Sequence, residues 1–129
     1  MLLGASNPVG VGSSINFIGN YAYAYSGQLN STSGSITLLD FVVPNANFID
    51  ATVQFGFGGT RSNDDERAEI YIDGELVAAN LYNNNYERAE LNDFKVLLAP
   101  NAHVEIKIVK VSGSGTVPSF AWVRGRVYE

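Results

Sequence analysis

The sequence contains no cysteine and only one histidine, His103. The lack of cysteine excludes disulfide bonds, thiolate nucleophiles and cysteine-ligated zinc. With one histidine, a single chain cannot assemble a Ser-His-Asp triad or a multi-histidine metal site. His103 follows a Pro-Asn turn at the entry to an alternating segment, and we expect it to lie at the surface. We predict no catalytic site, no metal site and no cofactor, and we expect that the protein is not an enzyme.

Positive charge is also scarce, because 8 Lys and Arg stand against 13 Asp and Glu and give a formal net charge of −5. Binding to nucleic acid depends on clustered Lys and Arg that release counterions from phosphates. We therefore do not expect DNA or RNA as a partner. The sequence has no run of about 18 apolar residues, which a membrane-spanning helix would need. The first residues have neither the basic region nor the sustained apolar run of a signal peptide. We expect no membrane span and no signal peptide.

Acidic and amide side chains gather at residues 63–66, at the end of a polar loop predicted over residues 58–65. Oxygen ligands in a loop suit a hard cation such as calcium. The segment lacks the glycine and the distant glutamate that mark an EF-hand loop. We expect a solvated hairpin end at this place.

Residues 1–14 contain glycine, serine and proline without a periodic pattern, which predicts a flexible arm. Residues 15–129 are predicted to form a single β-sandwich domain, because alternating segments are separated by turn residues throughout. The predicted strands cover residues 15–18, 21–29, 35–43, 50–58, 68–72, 76–81, 94–98, 103–111 and 119–128. Such spacing is typical of a sandwich, a jelly roll or a small barrel. No crossover helix separates the strands, so we predict an antiparallel two-sheet sandwich, a jelly roll of about eight strands.

Two further patterns make specific structural predictions. The pair Asp73-Gly74 between two alternating segments predicts a tight β-hairpin. The strand over residues 35–43 is apolar at both odd and even positions. We interpret it as a strand that is covered on both faces.

Three tyrosines alternate with alanines in one predicted strand, as Tyr21, Tyr23 and Tyr25. Successive side chains of a strand point to opposite faces, so the three rings share one face and Ala22 and Ala24 share the other. An exposed row of this kind stacks against sugar rings or meets a partner. The alternative is that the tyrosines pack at the edge of the core or between subunits.

A second row is predicted in the last strand, where Trp122, Arg124, Arg126 and Tyr128 share one face. Tryptophan, tyrosine and arginine are the residue types enriched at the hot spots of interfaces, which favours a subunit or partner interface. The alternative is that the arginines pair with Glu105 and neighbouring carboxylates of the same sheet.

Six segments spread over the chain carry a family resemblance: residues 23–27, 38–41, 71–74, 94–101, 104–108 and 123–128. In these segments the chain resembles the jelly-roll decoration, or cement, proteins on the heads of tailed bacteriophages. The resemblance implies a structural virion protein on the capsid exterior. It also implies a homotrimer that holds neighbouring subunits of the major capsid protein together and catalyses no reaction.

A second hypothesis is a carbohydrate-binding or receptor-binding β-sandwich module. In this case the tyrosine row would stack against sugar rings, and the asparagines at residues 83–85 would hydrogen-bond sugar hydroxyls. The two hypotheses differ in their partner but share the same fold.

Overall fold

The structure is a computed structural model that describes residues 15–27, 29–31, 34–45, 47–57, 64–84, 90–112 and 117–128. These residues form ten β-strands and no helix. The strands are β1 (Asn16–Ile18), β2 (Tyr21–Tyr25), β3 (Leu29–Ser31), β4 (Ser35–Val42), β5 (Phe48–Phe57), β6 (Asp64–Ile72), β7 (Glu75–Asn84), β8 (Glu90–Leu98), β9 (His103–Ser112) and β10 (Val117–Tyr128). Within the described ranges, no helix is long and apolar enough to cross a membrane. The predicted arm at residues 1–14 lies outside the described residues.

The strands form two antiparallel sheets. The first sheet has the order β1-β2-β10-β5-β8, with β3 also paired to β10, and the second has the order β4-β9-β6-β7. Because β2 and β3 both pair with β10, they act as two halves of one strand, and β1 is a short addition at the edge. With β2 and β3 counted as one strand, the two sheets form a jelly roll. In it the β2–β3 strand lies beside the last strand, β10, and the chain passes repeatedly between the sheets. The predicted antiparallel jelly roll of about eight strands is confirmed.

The core lies between the sheets and follows the period of two that the sequence shows. In β2 the tyrosines are exposed and the alanines buried, as the alternation predicts. The other strands of both sheets supply larger apolar side chains, including the fully buried Val53 and Val123 of the first sheet and Leu39 and Ile106 of the second. Burial of these side chains is the main stabilising contribution to the fold.

Strand β4 differs from its prediction. Its register against β9 shifts between Thr37 and Leu39, which marks a β-bulge at Leu38. Leu38 and Leu39 are both fully buried, whereas Val42 is 56% exposed. The prediction that this strand is covered on both faces is therefore wrong within this chain, because the inserted residue moves the apolar positions onto the core face.

Strand β2 is also shorter than predicted. The strand ends at Tyr25, and Leu29 begins the separate strand β3. Gly27 has a φ of 71°, which interrupts the extended backbone between them. The Ser26 hydroxyl accepts a hydrogen bond from the backbone N–H of Ala121 at 2.9 Å and keeps this break attached to β10.

Two strands, β6 and β8, begin four residues earlier than predicted, at 64 and not 68 and at 90 and not 94, because their polar ends continue the backbone pairing. Strand β6 begins at Asp64, where its backbone pairs with β7, and β8 begins at Glu90, where its backbone pairs with β5.

Glu66 is fully buried, so the expectation of a solvated hairpin end is wrong at that residue. Asn63 lies outside the described residues. Residues 83 and 84 likewise belong to β7, whereas residue 85 lies outside the described residues.

The predicted hairpin at Asp73-Gly74 is confirmed. Both residues have positive φ, 52° and 83°, as the mirror-image turns of tight hairpins require. The Asp73 N–H donates to the His103 carbonyl at 2.8 Å, and the Asp73 carboxylate accepts from the His103 N–H at 2.9 Å. These two bonds tie the hairpin to the start of β9.

Candidate functional site

The two predicted rows of side chains meet in the first sheet. Strand β10 pairs with β2 so that Trp122 lies opposite Tyr25, Arg124 opposite Tyr23 and Arg126 opposite Tyr21. Opposite residues of an antiparallel pair point to the same side. We call the resulting surface the aromatic–arginine face, and it consists of Tyr21, Tyr23, Tyr25, Trp122, Arg124, Arg126 and Tyr128. Trp122 is half-buried and the other six side chains are exposed.

Ring contacts hold the centre of this face in place. The rings of Tyr25 and Trp122 have centroids 4.4 Å apart and an interplanar angle of 34°. The Arg124 guanidinium lies 5.3 Å from the Trp122 ring, and the Arg126 guanidinium lies 5.7 Å from the Tyr128 ring. Each cation–π contact of this kind contributes about 0.5–1 kcal/mol at an exposed site. The arginines are therefore positioned by the rings beside them.

The alternative hypothesis, that the arginines pair with Glu105, is wrong. Glu105 belongs to β9 of the second sheet, whereas both arginines point outward from the first. The carboxylates that share the outer face with them are Asp50 and Asp93. Neither guanidinium forms an ion pair with another residue in the described part of the chain.

Exposed apolar side chains concentrate on the same side of the molecule. Seven of the ten large hydrophobic side chains that are exposed in the described part of the chain lie on the outer face of the first sheet. They are Ile18, Tyr21, Tyr23, Tyr25, Phe48, Leu97 and Tyr128. A concentration of exposed apolar side chains on one face is typical of a surface that binds another molecule.

An open depression of about 570 Å³ lies beside the tyrosine row. It is lined by Tyr21, Asp50, Thr52, Asp93, Lys95, Arg124, Gly125 and Arg126. The Gln54 amide donates a hydrogen bond to the Asp93 carboxylate at 2.9 Å across β5 and β8. Three cationic side chains, two anionic side chains and one tyrosine thus line the same depression. This depression could not be predicted from the sequence, because its residues come from four strands that are adjacent only in the folded sheet.

The outer face of the second sheet carries a polar network instead of an aromatic row. Glu69 is buried and accepts hydrogen bonds from Arg67 Nε at 2.7 Å and from the Tyr71 hydroxyl at 2.8 Å. Burial of Glu69 raises its pKa, but these two hydrogen bonds and the charges of Arg67 and Lys107 outweigh burial and lower the pKa overall. The same hydrogen bond from Tyr71 raises the pKa of the Tyr71 hydroxyl.

His103 lies half-exposed at the start of β9, as expected for a surface histidine, but it does not stand alone. Its Nε2 lies 2.6 Å from Asp40 Oδ1. The hydrogen bond to Asp40 raises the pKa of His103, and partial burial opposes that change. This contact could not be predicted from the sequence, because Asp40 and His103 are 63 residues apart and meet only through the pairing of β4 with β9.

No protein-family model matches the chain, and no curated protein is similar to it in sequence. The fold is similar to solved structures of a virus capsid protein. A structure of infectious bursal disease virus, Gx strain, has a TM-score of 0.53 and 13% identity over 95% of this chain and 36% of the viral chain. A mutant VP2 protein of the same virus, in derived T=1 particles, has a TM-score of 0.53 and 15% identity over 88% of this chain and 34% of its own.

A family 35 carbohydrate-binding module from Clostridium thermocellum is a more distant neighbour. Its TM-score is 0.42 at 12% identity, over 95% of this chain and 85% of the module. At these identities the comparisons show the fold alone, a jelly roll like that of a viral capsid protein. The chain spans about a third of the length of the viral chains that it matches.

Proposed function

We propose that the protein is a structural component of a virus particle that binds the outside of a phage capsid as a homotrimer. In this proposal the aromatic–arginine face binds other subunits and thereby joins neighbouring copies of the major capsid protein. The single observation that carries the proposal is the aromatic–arginine face, which adjoins further exposed apolar side chains on a fold shared with a capsid protein.

The chemistry of the face suits a protein partner. Trp, Tyr and Arg side chains dominate the binding energy of interfaces, because large rings exclude water and guanidinium groups make directed hydrogen bonds. Here the rings of Tyr25 and Trp122 already pack against each other. Less conformational entropy is lost when such a surface binds than when free side chains must be ordered.

The positive charges on the aromatic–arginine face also favour an acidic partner. A second copy of this chain is such a partner, because the chain as a whole is acidic. The chain has a net charge of −5. Lys95, Arg124 and Arg126 place three cations on the outer face of the first sheet, against the carboxylates of Asp50 and Asp93. A locally positive face on an acidic chain is complementary to the rest of its own surface, which supports self-association.

A trimer strengthens binding to a capsid without a tight single site. Each copy contributes a modest interface, and the linked copies bind neighbouring coat subunits with a high effective concentration. The proposal therefore requires self-association as well as binding to the coat.

The first experiment measures the molar mass of the purified chain by light scattering during gel filtration. The proposal predicts three times the chain mass of 13.9 kDa. The variants Trp122→Ala and Arg124→Glu should lower the measured mass towards that of a monomer. Val42→Thr, which changes an exposed apolar residue of the second sheet, is the matched control and should leave the mass unchanged.

The second experiment measures sedimentation of the chain with capsids of its own phage from which the decoration has been removed. Co-sedimentation of the unchanged chain, lost in the Trp122→Ala variant, supports the proposal. A chain that is monomeric at micromolar concentration and stays in the supernatant would refute it.

A specific observation favours a second candidate function, carbohydrate binding. The depression beside Tyr21 combines an aromatic wall with Asp, Thr, Lys and Arg side chains. Aromatic rings stack against the apolar faces of sugars, and polar side chains at the rim hydrogen-bond the hydroxyls. This function uses the Tyr21 end of the face, whereas the subunit interface uses the Trp122 centre.

A glycan array separates the two functions. Carbohydrate binding predicts a signal that Tyr21→Ala abolishes and Trp122→Ala leaves intact, with both variants folded by circular dichroism. The absence of a signal on a broad array would refute this candidate and would leave the structural proposal unchanged.

A further inference from the structure

We propose that Asp40, His103 and Glu105 form a binding site for a divalent transition-metal ion of the zinc class on the outer face of the second sheet. This site is separate from the aromatic–arginine face, and the inference does not depend on the proposed function. The site was not predicted from the sequence, because one histidine and scattered carboxylates show no ligand spacing along the chain.

Strand pairing brings the three side chains together. Asp40 of β4 lies directly opposite Glu105 of β9. His103 precedes Glu105 by two residues in the same strand, so both side chains point to the same face. Two ligands from one strand and one from its neighbour thus form a triangle on a rigid sheet, which fixes metal ligands better than a loop does.

The distances suit a first-row metal ion. One ligand atom from each residue lies within 4.8 Å of the other two. His103 Nε2 and Asp40 Oδ1 are 2.6 Å apart in a hydrogen bond, whose proton is released to solvent when a metal ion takes its place. Zinc bonds of about 2.0–2.2 Å to nitrogen and oxygen hold neighbouring donor atoms about 3.3 Å apart in a tetrahedron. Because all three side chains are partly exposed, small rotations about their side-chain bonds reach this geometry.

The set of donor atoms selects the class of metal. One imidazole nitrogen and two carboxylate oxygens match the ligands that zinc accepts, and they leave the fourth position to water. Calcium and magnesium prefer sites made only of oxygen with six or more ligands. The imidazole therefore favours zinc, or a neighbouring transition metal, over the alkaline earth ions.

The surrounding charges attract a cation. Asp40 and Glu105 are like charges in directly opposite positions, an arrangement that destabilises a sheet unless a positive charge compensates it. The Asp73 carboxylate adds a third negative charge beside His103. It accepts a hydrogen bond from the backbone N–H of His103. Lys107 compensates in part, with its Nζ 3.8 Å from Glu105 Oε2. A divalent ion would neutralise both facing carboxylates.

The alternative is that His103, Asp40 and Glu105 form only a hydrogen-bonded surface network. Such a network needs no metal, and zinc would then not change the stability of the protein. A bound ion stabilises the folded state in proportion to its affinity, because the unfolded chain does not hold the three ligands together. Metal-dependent stability therefore distinguishes the two possibilities.

The test is isothermal titration calorimetry of the full chain with zinc chloride, using protein without a histidine tag in metal-free buffer. We expect one ion per chain and a rise in the midpoint of thermal unfolding. His103→Ala and Asp40→Asn should each weaken zinc binding by about tenfold or more, since loss of even an outer partner of a metal ligand has an effect of that size. The control is Asp93→Asn, which removes a carboxylate of the first sheet. This variant should bind zinc like the unchanged chain.

Several outcomes would overturn the inference. They are no heat and no change in thermal midpoint at millimolar zinc, undiminished binding by both the His103→Ala and the Asp40→Asn variants, or tighter binding of calcium than of zinc. Circular dichroism of the two variants shows whether they fold. If His103→Ala does not fold, the isosteric Asp40→Asn change still decides the question.

Discussion

Trp122 packs against Tyr25 across the pair β10–β2, with ring centroids 4.4 Å apart. The Arg124 guanidinium lies on the same side of the sheet, 5.3 Å from the indole. The Tyr25 ring also makes a T-shaped contact with the Phe120 ring, with centroids 6.2 Å apart. These contacts turn two separate rows of side chains into one ordered surface, and they place the tryptophan at its centre.

The tryptophan provides a direct optical test of this surface. Trp122 is the single tryptophan of the chain and is half-buried. When another subunit covers the indole and removes water from it, its fluorescence emission should move to shorter wavelength. We expect this shift as the protein concentration rises through the range of self-association. Tyr25→Ala should weaken the concentration dependence, and an emission maximum that never moves would contradict the assignment of the interface.

Arg124 is expected to contribute through its planar, charged group. Arg124→Glu should weaken self-association by about tenfold or more, which corresponds to about 1.4 kcal/mol. Arg124→Lys keeps the charge but loses the planar packing over the indole, so an intermediate loss is expected. Analytical ultracentrifugation of the three proteins measures these dissociation constants. Equal affinity of all three would show that Arg124 lies outside the interface.

The sequence predicted each half of this face but not their contact. A period of two was enough to place the tyrosines on one face of β2 and the Trp–Arg row on one face of β10. Whether two strands are neighbours depends on sheet order, and nothing local in the sequence encodes it. For the same reason the sequence did not reveal that Asp40 meets His103, or that Asp50 and Lys95 share a depression with Arg126.

The remaining errors arise where one residue disturbs a regular pattern. The bulge at Leu38 moved an apolar residue to the core face, so a one-sided strand was predicted to be two-sided. Glu66 follows the polar end of a loop in sequence, yet it lies on the inward side of β6 and is fully buried. Both errors follow from the fact that register and burial are set by neighbouring strands and not by local composition.

The close approach of β10 and β5 predicts a large effect of a single methyl group. A Cβ atom at Gly125 would lie 2.7 Å from the Ala51 Cα and 2.8 Å from the Asp50 carbonyl carbon. These are backbone atoms of a central strand and cannot rotate away. We expect Gly125→Ala to lower the free energy of unfolding by about 3 kcal/mol, measured by urea denaturation.

Gly56→Ala is the matched control for this change. A Cβ atom there would meet the ring of Phe120, with Cε2 at 2.8 Å. The ring is a side chain that can rotate, so we expect a smaller loss of about 1 kcal/mol. A greater loss at Gly56 than at Gly125 would show that backbone separation does not limit packing of these strands.

The buried carboxylate Glu69 should give the protein a measurable part of its pH dependence. Its pKa is lowered from the ordinary value of 4.5, because hydrogen bonds from Tyr71 and Arg67 outweigh the effect of burial. The folded state therefore binds the Glu69 proton less tightly than the unfolded state does. The resulting stabilisation is fully present above the pKa of the unfolded chain and is lost as the pH falls through the lower pKa of the folded chain.

Glu69→Gln removes the titrating group and keeps the shape of the side chain. At neutral pH the variant should be less stable by about 1 kcal/mol, because hydrogen bonds to a charged acceptor are stronger than those to an amide. The difference between the two proteins should shrink as the pH falls from about 7 to about 3, since protonation removes the same charge from the unchanged chain. Free energies of unfolding from urea titrations across this range measure the difference. Glu75→Gln, at an exposed position without these hydrogen bonds, is the control, and a difference between the Glu69 proteins that stays constant with pH would contradict the lowered pKa.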